Sequence, residues 1–540
     1  MTFSSFKMNN ILRVNKKKGL MNMSEALTEQ KGQKWAISLF TIGVFMAALD
    51  NGIISAALTT INESFAVSPS WGSWGITLYT LGLSVSVPIV GKLSDRYGRK
   101  KLFLIEVCLF GLGSLLVALS QSFPLFLISR LIQALGGGGI FIIGSSHILA
   151  TLPKEKQGKA LGLLGAMNGM AAVLGPNIGS FLLDWTGSWH WLFLINLPIA
   201  VLLVVFGAYF IAETKAPEAK RLDTAGIFLL SLSILAVMYG MTNLDGANLL
   251  HSLGNPEVYG CIIFGILCFA ALISYEKRVE MRGGDPILAY SLLRNHMFQR
   301  TLIIGLLSGG LLAAVIFIPS YVEQYLGVPA AKAGYWMTPL ALASGIGAWL
   351  GGALTDKKGP VKTVILSGII SCAGFALFPL WVTEKWEFVI ASMAAGIGFG
   401  FLLGAPLNVL VSEAAKTNKG TALGTLSLVR QIGLTLAPTL YAGFITAGFD
   451  QIGGEINSRL SDSGHSEKAT QMIPEIDSSD VSSLQEQIER IPVPEVKTAI
   501  SDAIHASVAS GYDHLYAAAA VISLLVIAAI SIPAFRRQKR

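Results

Sequence analysis

Two stretches decide the fold: Gly91-Lys92-Leu93-Ser94-Asp95-Arg96-Tyr97-Gly98-Arg99-Lys100-Lys101, and Gly352-Ala353-Leu354-Thr355-Asp356-Lys357-Lys358-Gly359. They share the pattern G-x-L-[ST]-D-[RK]-x-G. Each is a short charged turn following a long apolar run. A charged turn recurring at the same place in two series of apolar runs is the mark of an internal repeat. Inverted or parallel repeats of membrane helices are the usual build of a transporter whose site lies between them.

The surroundings fit that reading. Of 540 residues, 52% are apolar and only 14% charged, against roughly 25% charged in a soluble domain. Mean hydropathy is +0.59. This excludes a disordered chain and an ordinary soluble enzyme. A spanning helix needs about 20 apolar residues. Fourteen such stretches can be marked, at 35–58, 74–90, 102–119, 123–150, 158–183, 191–211, 225–244, 258–274, 301–321, 334–354, 361–382, 388–410, 420–447 and 515–535. Most lack the period-2 alternation of barrel strands, so they read as helices. The four cysteines lie inside these stretches and give neither a disulfide framework nor a metal-binding spacing.

Basic residues orient the chain. With the N-terminus in the cytoplasm, cytoplasmic segments hold 32 of the 40 Lys and Arg, and external loops hold six. Both termini are therefore expected inside. The net charge of +7 is then topology, with no basic face for nucleic acid. No signal peptide is expected in the first 34 residues, and Met21 and Met23 are alternative starts.

The expected division follows. Residues 1–34 form a cytoplasmic tail, and 35–212 a six-helix half. Residues 213–300 hold two inserted spans and a linker. Residues 301–535 form the second half, containing an external acidic loop at 449–513, and 536–540 a cytoplasmic tail. The loop carries twelve acids against four bases. Within it, 480–490 and 495–509 could be short helices. The loop reads as solvated, or as a helical hairpin over the outer mouth.

Several motifs together resemble the major facilitator superfamily, specifically its fourteen-span drug:proton antiporter branch of the EmrB and QacA type. They are the Gly91–Lys101 turn; Leu127-Ile-Ser-Arg130-Leu-Ile-Gln133-Ala-Leu-Gly136-Gly137; Gly175-Pro176-Asn-Ile-Gly179-Ser180; Trp189-His190-Trp191-Leu-Phe193-Leu-Ile-Asn196-Leu-Pro198; and Leu49-Asp50. Ala134, Ser180 and His190 replace the commoner Gly, Gly and Arg. The resemblance implies an all-α membrane fold with two six-helix halves and two inserted helices. It further implies a latch made by Gly91, Asp95, Arg96, Gly98, Arg99 and the repeat's Asp356, with Asp95 against Arg99 and a helix N-terminus. It names Gly175, Pro176 and Gly179 as an antiporter motif that seals and bends one span.

Other residues speak for themselves. Asp50 is an ionisable group inside an apolar helix, costly unless paired, hydrated or protonated. At 1.5 Å per residue it lies about 22 Å above the inner boundary, and Arg130 about 10 Å below the outer one. They sit at a similar level and are candidates for one proton-coupling site, because burial opposes the carboxylate and a guanidinium favours it. A static pair gluing two helices is the plainer alternative. Gln133, one turn from Arg130, Glu323 at an outer helix end, and Arg430 in mid-span are candidates for a substrate cavity. Arg430 is expected to line that cavity or to contact Asn408. Glu106 is expected to pair with the basic loop beside it.

The leading expectation is proton-coupled efflux of lipophilic, cationic small molecules from a bacterial cell membrane. The alternatives are export of a lipid, peptide or metabolite, and a non-transporting sensor or scaffold. The expected partners are small lipophilic substrates and membrane lipid, with no nucleic acid and a monomeric state. Protons are the coupling ion, with no other cofactor or metal. No zincin, Walker or nucleophile-elbow motif points to an enzyme.

Overall fold

The computed structural model describes residues 3–214, 223–246, 248–415, 418–462 and 494–531. Among these residues, thirteen helices are long and apolar enough to cross a membrane, and a fourteenth is bent by 44°. In chain order they are α1 (Phe3–Ser64, apolar from Gly32), α2 (Trp74–Tyr97), α3 (Arg99–Ala118), α4 (Phe123–Thr151), the bent α5 (Lys154–Thr186), α6 (His190–Phe210) and α7 (Thr224–Thr242). Then follow α8 (Pro256–Met281), α9 (His296–Gln324), α10 (Gly334–Lys358), α11 (Pro360–Trp381), α12 (Lys385–Ala415), α13 (Lys419–Ile456) and α14 (Pro494–Ser531).

The chain is all helical because lipid offers no partner to a free N–H or C=O, so each span must satisfy its own backbone. Polar side chains start several spans. Asp223 accepts from Gly226 N–H at 2.8 Å, Asn295 accepts from Met297 N–H at 2.9 Å, and Glu384 with Glu387 forms a capping box before α12. Such caps are each worth about 1 kcal/mol. Gly98 and Gly359 end α2 and α10 at φ +107° and +87°, a backbone region that strains any residue with a Cβ. The shared glycine of the two repeated turns is thereby explained.

α1 to α6 pack on one another, as do α9 to α14. The two groups meet along α2 with α13 and α5 with α10. The inserted α7 and α8 pack against each other, and α7 lies on α2 and α13. Leu81, Leu230, Met238, Leu272, Leu288 and Leu428 form the small core there, so the inserted pair straddles the seam between the groups. Its outer face carries exposed Ile263, Phe264, Ile266 and Leu267, apolar surface that suits lipid rather than water.

One expectation needs correction. The expected 449–513 loop is helical at both ends: Ile452–Asp462 is a helix, and the suggested short helix at 495–509 is the start of α14, which runs on from Pro494 instead of beginning near Leu515. Ile452 and Ile456 pack on Val496, Ile500, Ile504 and Val508. This i, i+4 apolar stripe is masked in composition by the acids between. The suggested helix at 480–490 falls outside the described residues. The N-terminal segment is helical from Phe3 and continuous with α1.

The basic-side turns and the opposite ends should face different compartments. In a cysteine-free background, a membrane-impermeant thiol reagent applied to intact cells should label Lys332→Cys and Lys385→Cys but spare Lys154→Cys and Lys358→Cys. Equal labelling of all four would contradict this topology.

Candidate functional site

Asp50 is fully buried and fully engaged. Arg130 Nη1 donates to its Oδ2 at 2.7 Å, and Gln133 Nε2 and Asn196 Nδ2 donate to its Oδ1 at 2.8 and 3.1 Å. Arg130 Nη1 also donates to Gln133 Oε1 at 2.6 Å, and Gln133 Nε2 to Ser114 Oγ at 2.8 Å. Arg130 lies over the Tyr79 ring, 4.0 Å from its centroid. Asp50, Ser114, Arg130, Gln133 and Asn196 are all 0% exposed, which leaves this network shut off from solvent in the conformation seen. Five helices supply it: α1, α2, α3, α4 and α6. A buried Asp–Arg pair of this kind repays its desolvation only with further hydrogen bonds, and removing one partner typically costs 3–5 kcal/mol. Arg130 Nη2, Tyr79 Oη and Asn196 Oδ1 are buried without partners, so the network holds unused bonding capacity.

The sequence reading picked out Asp50, Arg130 and Gln133, and the structure brings all three together. It missed Ser114, which has no distinguishing spacing. Asn196 stood inside a quoted motif, and its polarity within an apolar segment was a signal that could have been read.

At the basic side, Asp95 spans the two helix groups. Its Oδ1 accepts from Arg99 Nη2 at 2.7 Å, and its Oδ2 from Gly420 and Thr421 N–H at 2.7 and 3.3 Å. Those N–H groups open α13, where a carboxylate meets the positive end of the helix dipole. Arg99 also donates from Nε to Ser146 Oγ at 2.7 Å on α4. The repeat does the reciprocal: Asp356 on α10 accepts from Gly158 and Lys159 N–H near the start of α5 at 2.6 and 2.9 Å. A Cβ at Gly91 would overlap Gly420 O, and one at Gly352 would overlap Gly158 O. The shared spacing of the two turns therefore serves two crossed contacts. Arg96 does not join them. It stacks on Tyr97 at 5.2 Å, with Nε and Nη1 buried and unpartnered. Gly98 leaves room for the Glu213 carboxylate, which accepts from Lys100 and Lys101 N–H at 3.1 Å each and so caps α3.

α4 and α5 join these places. α4 carries Arg130 and Gln133 toward one end and Ser146 toward the other, with an interruption at Gly138–Gly139. Glu106 accepts from Gly139 N–H at 3.0 Å at that break; contrary to expectation, no basic side chain among the described residues pairs with it. On α5, Gly158 and Gly162 lie against α10, while a Cβ at Gly175 would sit 2.5 Å from Gly52 Cα, and one at Gly179 3.0 Å from Ile53 O. Gly175 and Gly179 thus grip the turn of α1 that carries Asp50. The bend falls between Ala171 and Leu174, one turn before Pro176, where proline removes a hydrogen bond and its ring crowds the preceding turn.

The remaining candidates lie apart. Glu323 is half-buried at the end of α9. Arg430 is half-buried on α13 and donates from Nε to Ser308 Oγ at 3.2 Å; Asn408 instead donates to Gly404 O at 2.8 Å. Among the described residues there is no cluster of three or more His, Cys, Asp or Glu that could hold a metal.

The comparisons with known proteins agree with this architecture. A family model described as Major Facilitator Superfamily matches residues 40–438. The chain is 98% identical over 518 residues, 96% of its length and 100% of the relative's, to the uncharacterized MFS-type transporter YfiU of Bacillus subtilis (strain 168). It is 30% identical over 422 residues, 78% of its length and 81% of the relative's, to Multidrug resistance protein 3 of the same organism. Among solved structures it resembles the human organic anion transporter MFSD10 (TETRAN), with a TM-score of 0.55 and 14% identity, covering 92% of this chain and 99% of that one.

Losing the Asp95 carboxylate should weaken the closed basic side. Each charge-assisted bond to a helix N-terminus is worth about 1.5–3 kcal/mol. Leu423→Cys, at a position 1% exposed beneath the turn, should therefore react with a thiol reagent at least tenfold faster when combined with Asp95→Ala. An unchanged rate would count against a latch.

Proposed function

Since the chain belongs to the Major Facilitator Superfamily and is a multi-pass, non-enzymatic secondary transporter, we propose that it exports lipophilic small molecules across a bacterial cell membrane in exchange for protons. The observation that carries this reading is the Asp50–Arg130 pair, wholly buried within five helices. Protonating Asp50 cancels one charge of the pair. Arg130, Gln133 and Asn196 then face a neutral, weaker acceptor in place of the charge that draws them together, and the helices that bear them are freer to shift. Deprotonation restores the charge.

The shift has two mechanical outlets. α4 runs from Arg130 to Ser146 beside the Asp95–Arg99 turn. α5 runs from Gly175, against the Asp50 turn of α1, to Gly158 against Asp356. Proton binding at one level is thereby coupled to the contacts closing the basic side. Rocking of the two helix groups about the site would give alternating access. The relative named for multidrug resistance supports the choice of lipophilic cargo.

Exchange of one proton for one monocation moves no net charge, so the pH gradient alone would drive it, whereas other cargo charges would also draw on about 2.3 kcal/mol per charge per 100 mV. The sequence-based expectation of cationic cargo relied on the family resemblance and on this charge balance. Asp50 is already neutralised by Arg130, so the acid does not by itself choose the cargo.

Inverted vesicles carrying the protein should accumulate lipophilic dyes when acidified inside, and Asp50→Asn at matched expression should lose that accumulation at least tenfold. Equal accumulation by both proteins would remove Asp50 as the proton carrier.

A further inference from the structure

Arg430 is the buried charge that the Asp50 site does not use. It stands on α13 about 16 Å from the basic-side end at 1.5 Å per residue, near the middle of the membrane. Its Nε bonds Ser308 Oγ on α9, but its Nη2 is buried and meets no acceptor among the described residues. The ion pairs among those residues join Lys92 to Asp285, Arg99 to Asp95, Arg130 to Asp50 and Arg459 to Glu455; none includes Arg430. An uncompensated guanidinium at this depth is expensive to maintain, and such groups in membrane helices mark substrate or ion pathways.

The direction of the side chain can be read from its own helix. Leu423 is seven residues earlier, two turns below and on the same face. It packs with Val90 and Ile142 of the first helix group and Ala405 and Val409 of the second. That face of α13 therefore looks into the space between the groups. At Leu423 the space is sealed, while at Arg430 the side chain is only half-buried. The guanidinium sits just above the seal, on the path that alternating access would open.

We propose that Arg430 anchors an anionic group of the cargo, so that the preferred substrates are lipophilic carboxylates or comparable amphiphilic anions. Ser308 holds Nε and orients the fork, leaving Nη2 to bond the anion. The inference rests on the transporter reading and replaces the cationic cargo expected from sequence. Exporting a monoanion in exchange for one proton moves two charges in the direction that an inside-negative potential favours.

The test uses the purified full chain and a matched pair of probes, 11-(dansylamino)undecanoic acid and its methyl ester. Wild type should bind the acid at least tenfold more tightly than the ester, as a charge-assisted contact would give. Arg430→Gln should bring the acid down to the level of the ester and leave ester binding within about twofold. Arg430→Lys, which keeps the charge, should retain part of the difference and guards against a folding defect. Equal binding of acid and ester by wild type, or an equal loss of both in Arg430→Gln, would overturn the proposal. Transport is scored separately in inverted vesicles. Selective, Arg430-dependent binding without pH-driven uptake would leave the anion site standing and remove the proton-exchange reading.

Discussion

A carboxylate in the apolar middle of a membrane must be neutralised, and the packing of the first six spans is organised around how Asp50 meets that demand. Arg130 supplies the opposite charge, and Gln133 and Asn196 supply the remaining donors. Each donor comes from a helix that has to approach α1 closely. Gly175 and Gly179 on α5 permit the approach from a further side. A substitution that displaces any of these helices disturbs the same carboxylate, which is why one ionisable residue can report on the arrangement of a whole helix group.

The second constraint is the pair of crossed turns. Asp95 of the first group holds the start of α13 in the second, and Asp356 of the second holds the start of α5 in the first. Both contacts are carboxylate to backbone N–H, so they depend on helix position rather than on a partner side chain. Small movements of α13 or α5 would break them without any side chain having to repack. The buried Lys92, bonded to Asp285 and to Pro286 O, ties the linker after α8 to the same turn. The inserted spans are therefore attached to the seam between the two helix groups, and not merely appended to the lipid face.

Much of this was legible in the chain because membrane helices obey simple rules. Length, apolarity and the distribution of Lys and Arg locate the spans, and the repeated glycine-bounded turns reveal two series. Depth arithmetic put Asp50 and Arg130 at one level, and they form an ion pair. What composition could not reveal was rotation about each helix axis. Arg430 meets Ser308 rather than Asn408 because the facing residue depends on how α13 turns toward α9. Glu106 takes a backbone N–H freed by the interruption of α4, and a helix break at four consecutive glycines does not announce which side chain will fill it. A short helix at 495–509 could be suggested within a polar stretch, while its buried stripe, Val496, Ile500, Ile504 and Val508, emerges only against Ile452 and Ile456.

The central claim is that the protonation of Asp50 is linked to cargo binding through the helices that hold it. Proton release on cargo binding tests it most directly. Purified protein in weakly buffered detergent, with a pH-sensitive dye, is mixed with a transported compound. The account predicts release of protons from wild type, largest near the pH at which the site is half occupied, and none from Asp50→Asn that still binds the compound. Equal release from both proteins would contradict it and place the coupling proton elsewhere.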